Sequence, residues 1–141
     1  MTNHDARRSS MNVIDERECI ILFSTTTVGL VAFVSAAGQQ LLPVNFAAID
    51  GMIYLRTSDD SSLAELATGM DDVALGIVHH STSTRDGWNV TVQGTTAAVI
   101  DPLELSRVLG VAKLRPWAPG ERDVVVVLTP RSIGGRRVSS H

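Results

Sequence analysis

The stretch RTSDDSSLAEL, from Arg56 to Leu66, concentrates the groups that an anion site needs. One arginine opens it, and the hydroxyls of Thr57, Ser58, Ser61 and Ser62 lead into a helical pattern. Free N–H groups at a helix start, with hydroxyl donors beside them, suit a phosphate. Asp59 and Asp60 oppose that use, because a carboxylate repels an anion at short range. Ser62 and Glu65 also have the spacing of a capping box, so the same residues read as a helix cap. The two roles are compatible.

Other candidates are weaker. His79 and His80 are adjacent on a strand pattern and would point to opposite faces, which is poor geometry for one metal. The pairs Asp59–Asp60 and Asp71–Asp72 lie in polar loops and read as solvated turn residues. RPWAPGERD, from Arg115 to Asp123, joins proline, tryptophan and glycine in a stiff segment. Trp117 could be a platform for a planar ligand, or it could close one end of a barrel. In GWNVTVQG, Asn89 could bond the edge of a heterocycle or satisfy a loop backbone. Cys19, the single cysteine, reads as a small core residue on a helix. No nucleophile elbow, phosphate-binding loop or dinucleotide glycine motif occurs.

These groups must be held by elements that the pattern also predicts. Asp15 and Glu18 open a short helix through Phe23. Strands follow at Val28–Ser35 and Leu41–Ile49, and Asp50–Gly51 is a hairpin turn leading into a strand at Met52–Ser58. Pro43 cannot donate to a ladder, so it belongs at an edge, at a bulge or where the backbone turns toward a ligand. A second short helix ends at Gly69. A strand from Asp72 to His80 and a long one from Trp88 come next, the latter bent at Gly94. Asp101, Pro102 and Glu104 start a third helix that stops at Gly110. VVVVLTP and SIGGRRV read as the last two strands. Short connections make the sheet mainly antiparallel, and six or seven strands with few aromatics favour a closed or partly closed barrel. The fold class is therefore mainly β with short helices.

Length and composition fit this. A chain of 141 residues suits one domain. Hydrophobic residues at 44% and charged ones at 19% indicate a globular chain. The net charge of −3 argues against nucleic-acid binding. One cysteine fits a reducing cytoplasm. No apolar run is long enough to span a membrane, and the N-terminus lacks the apolar stretch of a signal peptide. Residues 1–12 read as a flexible arm and 13–141 as a single domain.

Taken in order, VGLVAF, LLPVNFA, DG…YLRTS, a short helix, GWNVTVQG, LRPWAPGERD and LTP…GRR resemble the FMN-binding split-barrel superfamily. The resemblance is to its pyridoxamine 5'-phosphate oxidase-like proteins of actinobacterial type, and covers Val13 to Val138. It implies a six-stranded antiparallel split barrel, dimeric, with two flavin sites at the interface. FMN would lie along Leu41–Phe46 and use main-chain groups of Pro43, Val44 and Asn45. Arg56, Thr57 and Ser58 would face the phosphate end, with Ser61 and Ser62 completing it. Asn89 would touch the ring, and Trp88 and Trp117 would form walls. Relatives commonly carry a glycine, a serine and then a cation where this chain has Asp60, Ser61 and Ser62. Arg136 or Arg137 could supply charge across the dimer.

The leading expectation is a flavin-dependent oxidoreductase acting on a small molecule. It is not expected to be a true pyridoxamine phosphate oxidase, for no second phosphate-binding set is recognisable. Alternatives are a deazaflavin-dependent reductase, a cofactor-poor dimer that kept the fold, and a haem binder using His79 or His80.

Overall fold

Residues 10–111, 114 and 123–139 are described in a computed structural model. Among these residues there are seven strands: β1 Ser10–Ile14, β2 Val28–Ser35, β3 Gly38–Ile49, β4 Met52–Ser58, β5 Val73–Ser81, β6 Asp86–Ala98 and β7 Asp123–Ser139. Helices α1 (Glu16–Phe23) and α2 (Pro102–Leu109) and a 3-10 helix at Ser62–Thr68 complete it. Every pairing is antiparallel, in the order β1-β7-β4-β3-β2-β5-β6. A further β6–β7 ladder closes the sheet on itself. The ring thus holds six strands, and β1 is added outside it along β7.

Alternation decides what lies inside. Val31, Phe33, Val44, Phe46, Leu55, Leu75, Val90 and Val92 point inward from successive strands and are almost wholly buried. Phe23 of α1 meets Phe46 with ring centroids 4.7 Å apart. Cys19 is fully buried. Burial, then the carboxylates of Asp15, Glu18 and Glu16, raise its thiol pKa, so it stays a protonated core residue. Leu63 and Leu66 of the 3-10 helix join the same core. A second, smaller core lies on the outer face of β3, β4 and β7. There α2 and Leu114 cover Ala47, Tyr54 and Val125. The Tyr54 hydroxyl donates to Glu104 at 2.7 Å; burial first, and then that carboxylate, raise its pKa. No helix among the described residues is long and apolar enough to cross a membrane.

Local signals explain most element ends. Asp15 caps α1 by accepting from the Glu18 N–H at 2.8 Å. Asp101 caps α2, with Pro102 in its first turn. Asp50 and Gly51 both have positive φ, 52° and 80°, as a two-residue hairpin turn demands. Three expectations change. The cap of the 3-10 helix is Ser61, not Ser62, and Glu65 accepts instead from Ala36 N–H across the β2–β3 turn at 3.0 Å. The last two predicted strands are one continuous β7, because pairing with β6 resumes at Ser132–Gln93 after a one-residue bulge at Arg131. Ser10–Asn12, within the segment read as an arm, belong to β1.

The β6–β7 ladder shifts register between Gln93 and Gly94, where the sequence suggested a bend. A Cβ at Gly94 would overlap the Thr129 carbonyl oxygen. Gly94→Ala should therefore lower stability by about 2–3 kcal/mol, the cost of overpacking a rigid contact. Gly134→Ala, which meets nothing within 4 Å, should stay within ~0.5 kcal/mol. Thermal unfolding of the two variants checks this contrast.

Candidate functional site

Strand β3 is central, yet one of its edges is only half used. Its ladder with β4 runs from Ile49–Met52 to Asn45–Arg56 and stops there. Beyond Arg56, β4 leaves β3 and stays with β7 as far as Ser58–Asp123. The β3 edge from Leu41 to Val44 therefore has no strand partner on that side. Pro43 sits within this open stretch, paired with Leu30 on its other side. A proline is tolerated where one edge of the strand carries no ladder. The barrel is split at this point.

The candidate residues come from β3, from β4 and from the segment after it. Val44 points into the core and is 5% exposed, so only its main chain can serve a ligand. Pro43 and Asn45 alternate with it and face outward. The side-chain oxygen Oδ1 of Asn45 is buried and has no hydrogen-bond partner among the described residues. A buried acceptor left unmatched calls for a donor from elsewhere. Thr57 and Ser58 end β4, Ser61 caps the 3-10 helix and Ser62 begins it.

Charge in this region is arranged unexpectedly. Arg56 was the expected cation for an anion, but its guanidinium forks onto Asp123, with Nε–Oδ1 3.1 Å and NH2–Oδ2 2.8 Å. Its third contact is the Leu114 carbonyl, 3.3 Å from NH1. Arg56 is only 14% exposed, so this pair is held with little screening. The Ser58 hydroxyl donates to Asp60. Ser61 Oγ accepts from Leu63 N–H at 3.1 Å. The helix behind it is a single short 3-10 segment, so no long aligned dipole points into the split.

The remaining candidates are elsewhere. Asn89 lies on the outer face opposite Val78, and its amide is 3.5 Å from the Thr91 hydroxyl. Pro43, Leu30, Gly76 and Thr91 form one row across β3, β2, β5 and β6. At the usual strand spacing the ends of that row are ~14 Å apart. Trp88 faces the opposite way from Asn89 and stacks on His79, ring centroids 5.7 Å apart. Within one chain Asn45 pairs with Arg56, and Asn89 lines the same groove as Pro43, while Trp88 faces the other way. Arg137 is committed to Glu18 at 2.8 Å, a bond that raises its pKa, and Arg136 stands on the outer face. Trp117 lies outside the described residues. No group of three metal-ligating side chains occurs among the described residues.

Two features were missed in the sequence. Asp123 ends a loop motif and gives no sign that it pairs with a residue 67 positions away. The second is an open apolar face. Leu30, Val34, Leu41 and Val78 are 44%, 65%, 63% and 71% exposed and share the outer side of β2, β3 and β5. Between them runs a groove of about 430 Å³ floored by Ala32, Pro43 and Gly76. The signal was present: VGLVAFV is apolar at consecutive positions, and a strand apolar on both sides is one that is covered on both sides.

Comparison with known proteins agrees with this architecture. The family description pyridoxamine 5'-phosphate oxidase matches residues 15–137. No curated protein matches the chain. A candidate pyridoxamine 5'-phosphate oxidase from Corynebacterium glutamicum superposes with a TM-score of 0.76 at 23% identity, over 93% of this chain and 95% of that one. An FAD-binding protein from Mycobacterium smegmatis gives 0.72 at 23% identity, over 90% and 97%. An FAD-binding protein from Mesorhizobium loti gives 0.75 at 18% identity, over 94% and 99%. At such identities these likenesses establish the shared split-barrel fold. The family match spans most of the sequence, from the α1 cap to Arg137, and the chain belongs to the pyridoxamine 5'-phosphate oxidase family.

Proposed function

We propose that this protein is a flavin-dependent oxidoreductase that binds FMN and works as a homodimer in the cytoplasm, its residues 13–141 forming one domain. One observation carries the flavin reading: the unmatched, buried Asn45 Oδ1 at the point where the β3–β4 ladder ends. The isoalloxazine ring has one N–H flanked by carbonyls, which suits an acceptor beside free main-chain groups. The open β3 edge at Leu41–Val44 supplies those groups, and Pro43 leaves room by offering no N–H. Thr57, Ser61 and Ser62 face the same opening with hydroxyls that can donate to a phosphate. FMN, when bound, supplies the two-electron redox chemistry. The protein's part is to orient the ring and keep water from one face. The FAD-binding proteins that share this fold support a flavin; a deazaflavin coenzyme is the alternative occupant.

The dimer follows from apolar area. The exposed row Leu30, Val34, Leu41 and Val78 is the surface that a second copy would cover. A second reading is favoured by the Arg56–Asp123 pair and the Ser58–Asp60 bond: a dimer that kept the fold and lost the cofactor.

Three outcomes test these proposals. FMN should raise the melting temperature of the purified protein, as a ligand of the native state must, and Asn45→Ala should remove most of that rise. A melting temperature indifferent to FMN favours the cofactor-free dimer. Ser62→Lys combined with Asp60→Gly should tighten FMN binding at least tenfold, about 1.4 kcal/mol, because it adds a cation and removes the carboxylate that holds Ser58. Unchanged affinity in a fluorescence titration would put the phosphate elsewhere. Leu41→Asp with Val78→Asp should convert a dimer to a folded monomer by sedimentation; a dimer that survives both charges uses another face.

A further inference from the structure

The segment that a flavin phosphate would use is acidic and already bonded to itself. Residues 56–66 carry one cation, Arg56, and three carboxylates, Asp59, Asp60 and Glu65. Asp123 adds a fourth carboxylate. A dianion held among like charges is repelled at short range.

Every nitrogen of the Arg56 guanidinium has a partner. Nε and NH2 fork onto Asp123 at 3.1 and 2.8 Å, and NH1 donates to the Leu114 carbonyl at 3.3 Å. The ladder imposes this fork. Arg56 is opposite Val125 and Ser58 is opposite Asp123, so the two charged side chains are diagonal neighbours on one face. Arg56 also stands directly opposite Asn45, yet the Asn45 Oδ1 stays unmatched. The arginine serves Asp123 rather than the opening. The other groups are no better placed for an anion. The Ser58 hydroxyl donates to Asp60, and Ser61 Oγ accepts from the Leu63 N–H. The 3-10 helix has seven residues and presents no long aligned dipole. Carboxylates accept from hydroxyls, so this surroundings suits a neutral polyol better than a phosphate.

We infer that Asp123 is a specificity residue. It withholds Arg56 from a phosphate, so the protein recognises the flavin ring and a neutral ribityl chain, and takes riboflavin as well as FMN. This inference rests on the flavin reading.

The test uses the full chain. Quenching of flavin fluorescence gives the affinities for riboflavin and FMN, which should agree within about threefold, or ~0.7 kcal/mol. Asp123→Asn keeps the shape and leaves the Arg56 charge uncompensated, so FMN should bind about tenfold tighter and riboflavin as before. Arg56→Gln combined with Asp123→Asn replaces the fork by a neutral pair. It serves where the single variant fails to fold, and it should keep the parent's ratio of the two affinities. A further arm needs no flavin: the melting temperature in inorganic phosphate against chloride at equal ionic strength. Asp123→Asn should gain more from phosphate than the parent does. A parent that prefers FMN about tenfold or more overturns the inference and leaves the flavin reading standing. A double variant that loses FMN and keeps riboflavin also overturns it, because Arg56 then holds the phosphate. If neither flavin binds the parent, the flavin reading fails and riboflavin falls with it. The phosphate arm alone then decides the role of Asp123, a larger gain in Asp123→Asn supporting it and an equal gain overturning it.

Discussion

The constraint on which everything rests is the double engagement of β7. Along one edge it runs with β6 from Ala98–Val126 to Gly87–Val138. Along the other it pairs first with β4 and then, after a gap, with β1. A strand that serves two neighbours at once must pass close to both. Backbone meets backbone at Gly94 and again at Gly135, where a Cβ would overlap the Asn89 carbonyl oxygen. This closure leaves no free edge along β6 and makes the sheet a barrel. It also sets the charges. Because Ser58 is opposite Asp123, the carboxylate falls beside Arg56; because Asn89 is opposite Arg136, a cation falls on the far edge of the open face.

Much of this architecture is legible in the sequence because the signals are local. Val28–Ser35 and Met52–Ser58 are bounded by turns and match their strands residue for residue. Asp15 with Glu18 and Asp101 with Pro102 fix helix starts through bonds that span three residues. Misreadings occur where a distant partner competes for a local group. Glu65 has the spacing to close a box with Ser62, but the Ala36 N–H, 29 residues away, takes its carboxylate. Glu104 has the same spacing with Asp101, and Tyr54 takes it. In each case the carboxylate goes to a donor far away in the sequence, Ala36 N–H for Glu65 and the Tyr54 hydroxyl for Glu104. No window of sequence contains that information.

The site was legible in composition and only half legible in electrostatics. Pro43 announced an interrupted ladder, and the interruption lies beside it, on the β4 side of β3. Arg56 shows the limit. A lone arginine at a strand end reads as a free cation, and a fork onto Asp123 makes it a neutral pair. An anion arriving at the split must then compete with a fixed carboxylate at 2.8 Å for the same guanidinium. Such a pair loses little to screening when it is mostly enclosed.

That competition changes what the split is best suited to hold. Its firm features are apolar or neutral: an open β3 edge, a proline without an N–H, and an amide oxygen that lacks a donor. Its charged features already answer one another. Affinity for a flavin would therefore come first from the ring, through area buried and main-chain bonds, with the phosphate adding less than its charge suggests.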